Sequence, residues 1–286
     1  MRNAGFEFSV SSRVISKAKF TWNSSFNISF NKNEVLALGP QGDPIRSNGG
    51  VGDTHITMIG KPIGNFYGYQ QIGVYMNAAD LANNPKEGTS KVGDVKYLDV
   101  SGDEVINAND RTIIGNNHPD FTYGFNNSFT FNNFDLSVLL YGSQGAEILH
   151  LAKRFYENLE GNQQQLSSVL NRWKSEAEPG NGIIPRANSL TTGLNNAVSS
   201  RWVEDGSFLK ISNITLGYNL PANIAKRIKM QAARVYMSGQ NLYTFTKYSG
   251  YNPEVSYTGD NVLAPGSDYG GYPTARIVSI GFNLTF

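Results

Sequence analysis

Between Asp99 and Asp110 the sequence DVSGDEVINAND spaces oxygen-bearing side chains as a calcium loop does. The candidate ligands are Asp99, Ser101, Asp103, the carbonyl of Val105, Asn107 and Asp110, at loop positions 1, 3, 5, 7, 9 and 12, with Ile106 at the apolar eighth. Three acids on one tight loop repel one another unless a cation lies between them, and neutral oxygens complete a site of about 10⁻⁴–10⁻³ M affinity, suited to structural Ca²⁺ outside the cell. The pattern departs from the standard loop at Ser101, at Glu104 in place of the turn glycine, and at Asp110, which is shorter than a bidentate Glu. Other chemistry is sparse. His55, His118 and His150 are far apart without ligand partners and read as surface or loop histidines. No phosphate loop, nucleophile elbow or carboxylate pair offers catalytic machinery. Tyr248, Tyr251, Tyr257, Tyr269 and Tyr272 could stack on a sugar, fill a peptide side-chain pocket, or serve as interfacial packing.

The elements that must carry these residues are announced by composition. Of 286 residues 12% are aromatic and only 16% charged, against about 25% charged in an ordinary soluble domain. With 24 basic and 23 acidic residues the net charge is +1, which excludes the electrostatic footprint of a nucleic-acid binder. Cysteine is absent, so disulfides and thiolate metal sites are excluded as well. No apolar run approaches the ~18 residues of a spanning helix.

The main signal is alternation with period two. From Phe20 to Phe30 the even positions read Phe, Trp, Ser, Phe, Ile, Phe, and the odd ones Thr, Asn, Ser, Asn, Ser. Phe121–Phe131 and Val278–Phe286 repeat the scheme. Both faces are almost free of Lys and Glu, which favours lipid on one side and a wet lumen on the other over a soluble sandwich. Strands are expected at 5–13, 19–31, 54–60, 66–76, 121–131, 134–144, 206–219, 232–243 and 275–286. Asn132-Asn133 reads as a two-residue hairpin turn. Counting from it, 77–120, 145–205 and 244–274 become extracellular loops, with helical spacing over Ala146–Leu159 and Gln163–Lys174. The sequons at Asn23, Asn27, Asn213 and Asn283 fall on polar strand faces, which explains them without glycosylation.

These segments also carry a resemblance. RNAGFEFSV, FTWNSSFNISFNKNEV, GKPIGNFYGY, GDVKYLDVSGDEVINANDRTIIG, PDFTYGFNNSF, FDLSVLLYGSQG, EDGSFLKISNITLGYNLP, VYMSGQNLYTFTKYSGYNPEV and the final FNLTF resemble, in this order, the C-terminal half of the SusC/RagA-type TonB-dependent outer-membrane transporters. The resemblance implies an all-β fold: residues 1–286 as the C-terminal strands of a large antiparallel transmembrane β-barrel of about 22 strands around a plug, with long extracellular loops containing short helices. It implies an outer-membrane location, contact with outer-membrane lipid, and import of a nutrient such as an oligosaccharide or peptide. The implied partners are a SusD-like surface lipoprotein and TonB. On this reading the chain starts within the barrel, lacks signal peptide, plug and TonB-contacting segment, and cannot transport alone. The alternatives are a complete small barrel acting as anchor or adhesin, and a secreted carbohydrate-binding sandwich.

Overall fold

The structure, a computed structural model, describes residues 1–190 and 193–286. Two long strands open the chain, β1 (Arg2–Lys17) and β2 (Phe20–Glu34), followed by six short ones: β3 (Ile45–Asn48), β4 (Asp53–Thr57), β5 (Asn65–Tyr69), β6 (Gln71–Val74), β7 (Val95–Tyr97) and β8 (Arg111–Gly115). The helix α1 (Ala78–Ala82) lies among them. Next come β9 (Phe121–Phe131), β10 (Phe134–Gln144), β11 (Glu147–His150), α2 (Lys153–Tyr156), β12 (Val203–Asp205) and β13 (Phe208–Asn219). The chain closes with α3 (Ala222–Arg227), β14 (Ala232–Thr246), β15 (Ser267–Asp268) and β16 (Ile277–Thr285).

The seven long strands form one antiparallel sheet in the order β1-β2-β9-β10-β13-β14-β16. Its register keeps rings on one face. Phe6 stacks on Phe30 at 4.7 Å, Trp22 on Phe129 at 5.7 Å, and Phe26 meets Phe125 at 6.5 Å. No second layer covers these rings among the described residues, so Phe6, Val278, Ile280 and Phe282 stand exposed. That excludes a sandwich, whose aromatic face would be its core. β1 and β16 are open edges, which excludes a small closed barrel as well.

The opposite face is polar. Arg234 donates to both oxygens of Asp135, Nε to Oδ1 at 3.0 Å and Nη2 to Oδ2 at 2.5 Å, while Asn219 donates to Oδ1 at 3.0 Å. The guanidinium crosses β13 over Gly217, where a Cβ would meet Arg234 Nη2 at 2.4 Å. A part-exposed pair of this kind stabilises by less than about 1 kcal/mol. A one-residue slip would break this pair and turn Arg234 to the lipid side close to the turn-bearing rim, where exposure costs about 0–1 kcal/mol, so the pair contributes modestly to both stability and register.

Short connections gather at one rim. Ala18-Lys19 and Asn132-Asn133 are two-residue turns, Asn132 takes the left-handed φ of 51° while Asn133 does not, and Asn132 N donates to Lys19 O at 2.9 Å. The 220–231 connection with α3 shares that rim, where Asn219 N donates to Asn133 O at 2.8 Å. The long connections 35–120, 145–207 and 247–276 leave from the other rim.

Two expected membrane strands are corrected. The 54–60 segment forms β4, and 66–76 divides between β5 and β6; both lie in small sheets outside the wall, because β2 pairs directly with β9. The first long connection is therefore 35–120, not 77–120. Thr54–Thr57 and Asn65–Tyr69 are buried on both faces, so period-two patterning there reports interior strands rather than a lipid face. Removing an up-and-down pair leaves the parity of the remaining strands unchanged. The helices expected over 146–159 and 163–174 are also reduced. Glu147–His150 is strand β11 because β12 and β15 flank it, and only α2 and a 3₁₀ turn at Ser167–Asn171 are helical.

In a bilayer, nitroxide labels at Val278, Ile280, Phe282 and Leu284 are expected to be accessible to oxygen, and labels at Ser279 and Asn283 to a water-soluble nickel chelate. Gly281 is unsuitable for labelling, since a Cβ there would meet the Tyr236 ring at 2.4 Å. The reverse partition would shift the register by one residue and overturn the face assignment.

Candidate functional site

The three long connections make one body rather than three separate loops. β11 pairs antiparallel with β12 and parallel with β15, which joins the second connection to the third. Phe66 and Ile114 of the first connection and Leu149, Leu151 and Trp202 of the second form a buried cluster, on which Tyr269 of the third packs. A second cluster unites Tyr69, Val95, Tyr97 and Ile106 with Leu194 and Ala197. Burying side chains of this size stabilises by about 1.5–3 kcal/mol each, enough to hold irregular connections in one arrangement.

Polar side chains seated in this body bind one connection to the next. His55 is fully buried, with Nε2 2.9 Å from Pro265 O and Nδ1 2.9 Å from Thr54 Oγ1. A carbonyl only accepts, so Nε2 carries the proton and Nδ1 accepts from the Thr54 hydroxyl. Burial pushes this imidazole down to about 4, against the smaller opposing effect of its bond to Pro265. Gly49 permits the approach: a Cβ there would meet the His55 ring at 2.4 Å and Ser267 Oγ at 2.6 Å. His118 Nε2 lies 2.8 Å from Ile63 O. The expectation of surface or loop histidines is corrected for His55 and His150, which are buried in strands, while His118 lies half-buried in a loop; each is engaged across the fold. Their partners lie 210, 54 and 55 residues away in sequence, so no local signal reveals them.

Glu204 is a hub that the sequence did not disclose. Its carboxylate accepts from His150 Nδ1 at 3.2 Å, Lys153 Nζ at 3.0 Å, Ser249 N at 2.9 Å and Ser249 Oγ at 2.8 Å. Burial works against ionisation, but these donors outweigh it and hold the acid well below the usual carboxylate range. Beside the hub lies a cleft of about 500 Å³ bordered by His150, Lys153, Tyr156, Glu157 and Tyr251. Of the tyrosines that could meet a ligand, Tyr248 is buried and donates to Asp268 at 2.5 Å, and Tyr257 packs on Tyr269 at 5.3 Å. Tyr257, Tyr251 and Tyr272, 57%, 79% and 95% exposed, remain open to solvent.

The Asp99–Asp110 loop has a left-handed residue at its sixth position, and its side chains bond mainly to its own backbone. Glu104 takes φ 64° where the pattern calls for glycine. Asp99 accepts from Gly102 N at 2.6 Å and Glu104 N at 2.8 Å, and Asp103 from Val105 N at 3.0 Å. Asn107 Nδ2 lies 3.1 Å from Val105 O, and Ser101 Oγ donates to Asp99 at 3.2 Å. Asp110 is placed differently. Fully buried, it accepts from the amides of Val100, Ser101 and Asn107 at 3.0, 3.1 and 2.7 Å. Burial opposes its charge, but these bonds lower its pKa. Among the described residues no three acidic or histidine side chains gather in a metal-holding group.

No family model matches the chain. Individual relatives do. TonB-dependent receptor P3 of Formosa agariphila is 37% identical across the whole chain. Along its whole length the chain is similar to TonB-dependent receptors, SusC among them. TonB-dependent receptor SusC of Bacteroides thetaiotaomicron is 28% identical, again over the whole chain. The chain spans 29% and 26% of those two proteins. Two solved structures, the RagAB peptide transporter and the RagAB peptide importer in its open-open state, match 99% of the chain with TM-scores of 0.78 and 0.77. The chain covers 29% and 28% of those chains at 22% and 21% identity, which shows the fold.

The wall strands are therefore those of a transmembrane barrel, and the three-connection body is its loop cap. The cap's cohesion should weaken with acid through His55. Its folded pKa is depressed, so its contribution is present above the unfolded value of 6.5 and is lost as pH falls toward about 4. Hydrogen exchange of residues 49–57 and 263–268 in the full-length receptor should accelerate across that window while the wall strands stay protected. Equal protection at pH 7 and pH 4.5 would remove His55 from this role.

Proposed function

We propose that residues 1–286 are the C-terminal part of the barrel of an outer-membrane importer, supplying seven adjacent wall strands and the cap over its outer mouth. The observation that carries this reading is an open antiparallel sheet with an uncovered aromatic face, in a chain that aligns throughout with TonB-dependent receptors. Open edges in hydrocarbon leave backbone groups unsatisfied at several kcal/mol each, so β1 and β16 require neighbouring strands to complete a wall. The whole protein would take up a nutrient such as an oligosaccharide or peptide with a SusD-like surface lipoprotein, drawing energy from TonB. The RagAB neighbours are named a peptide importer, and SusC a receptor, so the family likeness supports import without choosing the nutrient. The seven strands alone enclose no lumen, and no transport is expected from them in isolation. Uptake of the cognate nutrient by cells carrying the full-length receptor should fall to background when TonB is deleted, and a surface lipoprotein should co-purify in mild detergent. Uptake that persists without TonB would remove energised import from the reading.

We also propose that the Asp99–Asp110 loop takes a structural calcium ion through Asp99, Ser101, Asp103, the Val105 carbonyl and Asn107. The left-handed backbone at Glu104, where a calcium loop carries its turn glycine, supports it. Asp110 would act from outside the ligand set as a clamp on three amides, and breaking it costs about 1–3 kcal/mol locally. Calorimetry on metal-stripped full-length receptor should give a binding heat that Asp99→Ala/Asp103→Ala removes. Asp110→Asn should increase protease cutting of the loop with or without calcium. Equal heats in wild type and the double variant would exclude the ion.

A further inference from the structure

The cleft beside Glu204 is drawn toward the inner side of the wall. Lys210 lies opposite Tyr141, on the same face of β10 as Asp135, and its Nζ donates to Glu254 at 2.5 Å. That contact pulls the start of the third connection inward, and Ser249 and Tyr251, just before it, form one border of the cleft. The second connection forms the other, with about 500 Å³ between them, room for a side chain and its flanking backbone.

The lining pairs apolar surface with acceptors. Tyr156 and Tyr251 border the cleft with exposed rings, and Leu166 with an exposed aliphatic side chain. His150 is only 8% exposed and spends Nδ1 on Glu204, so in the uncharged ring Nε2 is an acceptor, and it has no partner among the described residues. Glu157 and Asp268 border the cleft as well, with Glu204 directly behind His150 and Lys153. Against these three acids the lining sets one lysine, Lys153, which is already spent between Glu204 at 3.0 Å and Glu157 at 3.7 Å. Arg201 donates to the Glu157 carbonyl, but it packs over the Trp202 ring at 4.4 Å and does not border the cleft. Asp268 has only neutral donors, the Tyr248 hydroxyl and the amides of Gly270 and Gly271. Surplus carboxylate, an open acceptor and exposed rings suit a cation, and the apolar surface suits the methylene stem that carries one.

We propose that this cleft takes a basic side chain of a peptide, with the ammonium or guanidinium donating to His150 Nε2 beside Glu157 and the stem against Leu166 and Tyr251. The proposal rests on the import reading above and deepens it by naming a substrate class, peptides that present Lys or Arg. An amino sugar carries the same charge but has no aliphatic stem to lay on Leu166.

The test is calorimetric titration of the full-length receptor in mild detergent with the end-capped pentapeptide Ala-Ala-Lys-Ala-Ala, beside the same peptide acetylated on its lysine and a glucosamine trimer. Wild type should bind the lysine peptide about tenfold more tightly than the acetylated one, the difference between a charge-assisted and a neutral hydrogen bond. Ser167 is exposed on the border of the cleft. Ser167→Lys should weaken the lysine peptide about tenfold by adding a cation there, while Ser167→Gln leaves it unchanged and separates charge from bulk and misfolding. Tyr251→Ala should weaken it about threefold, the worth of one exposed cation–π contact. Equal binding of the acetylated peptide, or undiminished binding by Ser167→Lys, would overturn the proposal. Preference for the glucosamine trimer would assign the cleft to an amino sugar and overturn it too. Lysine-selective binding by the purified receptor without TonB-dependent uptake in cells would instead refute the import reading and leave the cleft assignment standing.

Discussion

A backbone that enters hydrocarbon must find every hydrogen-bond partner within the protein, because an unsatisfied amide or carbonyl there costs several kcal/mol. The seven long strands meet this demand pairwise, each bonded to its neighbour in an unbroken antiparallel order. The rest of the arrangement follows. Strands that cross and return send short turns to one rim and long connections to the other, and pleating separates rings from amides and hydroxyls. On the inner face Asp135 joins Asn219 and Arg234, and Arg234 lies over the Tyr236 ring at 5.1 Å. This group ties three strands together beside the short turns.

The cap obeys a different physics. Its strands are short, its backbone irregular, and its cohesion comes from apolar clusters crossed by buried polar groups. Such groups are tolerable only when satisfied, and here they join segments remote in sequence. His55 holds the first connection to the third, and Glu204 gathers His150, Lys153 and Ser249 from the second and third. A cap built in this way moves as a body if it moves at all, while exposed groups such as Tyr251 and Tyr272 vary without loosening it.

The acidic loop shows that the spacing of acids does not fix their use. Its acids are spaced for a cation, yet each carboxylate also accepts amides from its own turn, and Asp110 is wholly committed to that task. The same side-chain oxygens that suit a metal suit backbone N–H groups. Spacing alone therefore could not show that the carboxylate at the twelfth position, Asp110, is taken by backbone amides.

Strict alternation from Phe20 to Phe30, from Phe121 to Phe131 and from Val278 to Phe286 was enough to place wall strands, their two faces and the Asn132-Asn133 turn, since a strand's side-chain period is a local property. The resemblance carried by the ordered motifs supplied the barrel class. Local pattern failed where burial was two-sided. Thr54–Thr57 and Asn65–Tyr69 alternate no differently whether they face lipid or a cap interior, and Glu147–His150 has helical spacing yet is a strand because β12 and β15 offer it partners. Only the tertiary structure decided that β2 pairs with β9 across 86 intervening residues, that three connections form one cap, and that buried His55 and Glu204 hold it, because each depends on contacts between segments whose proximity no local sequence signal encodes.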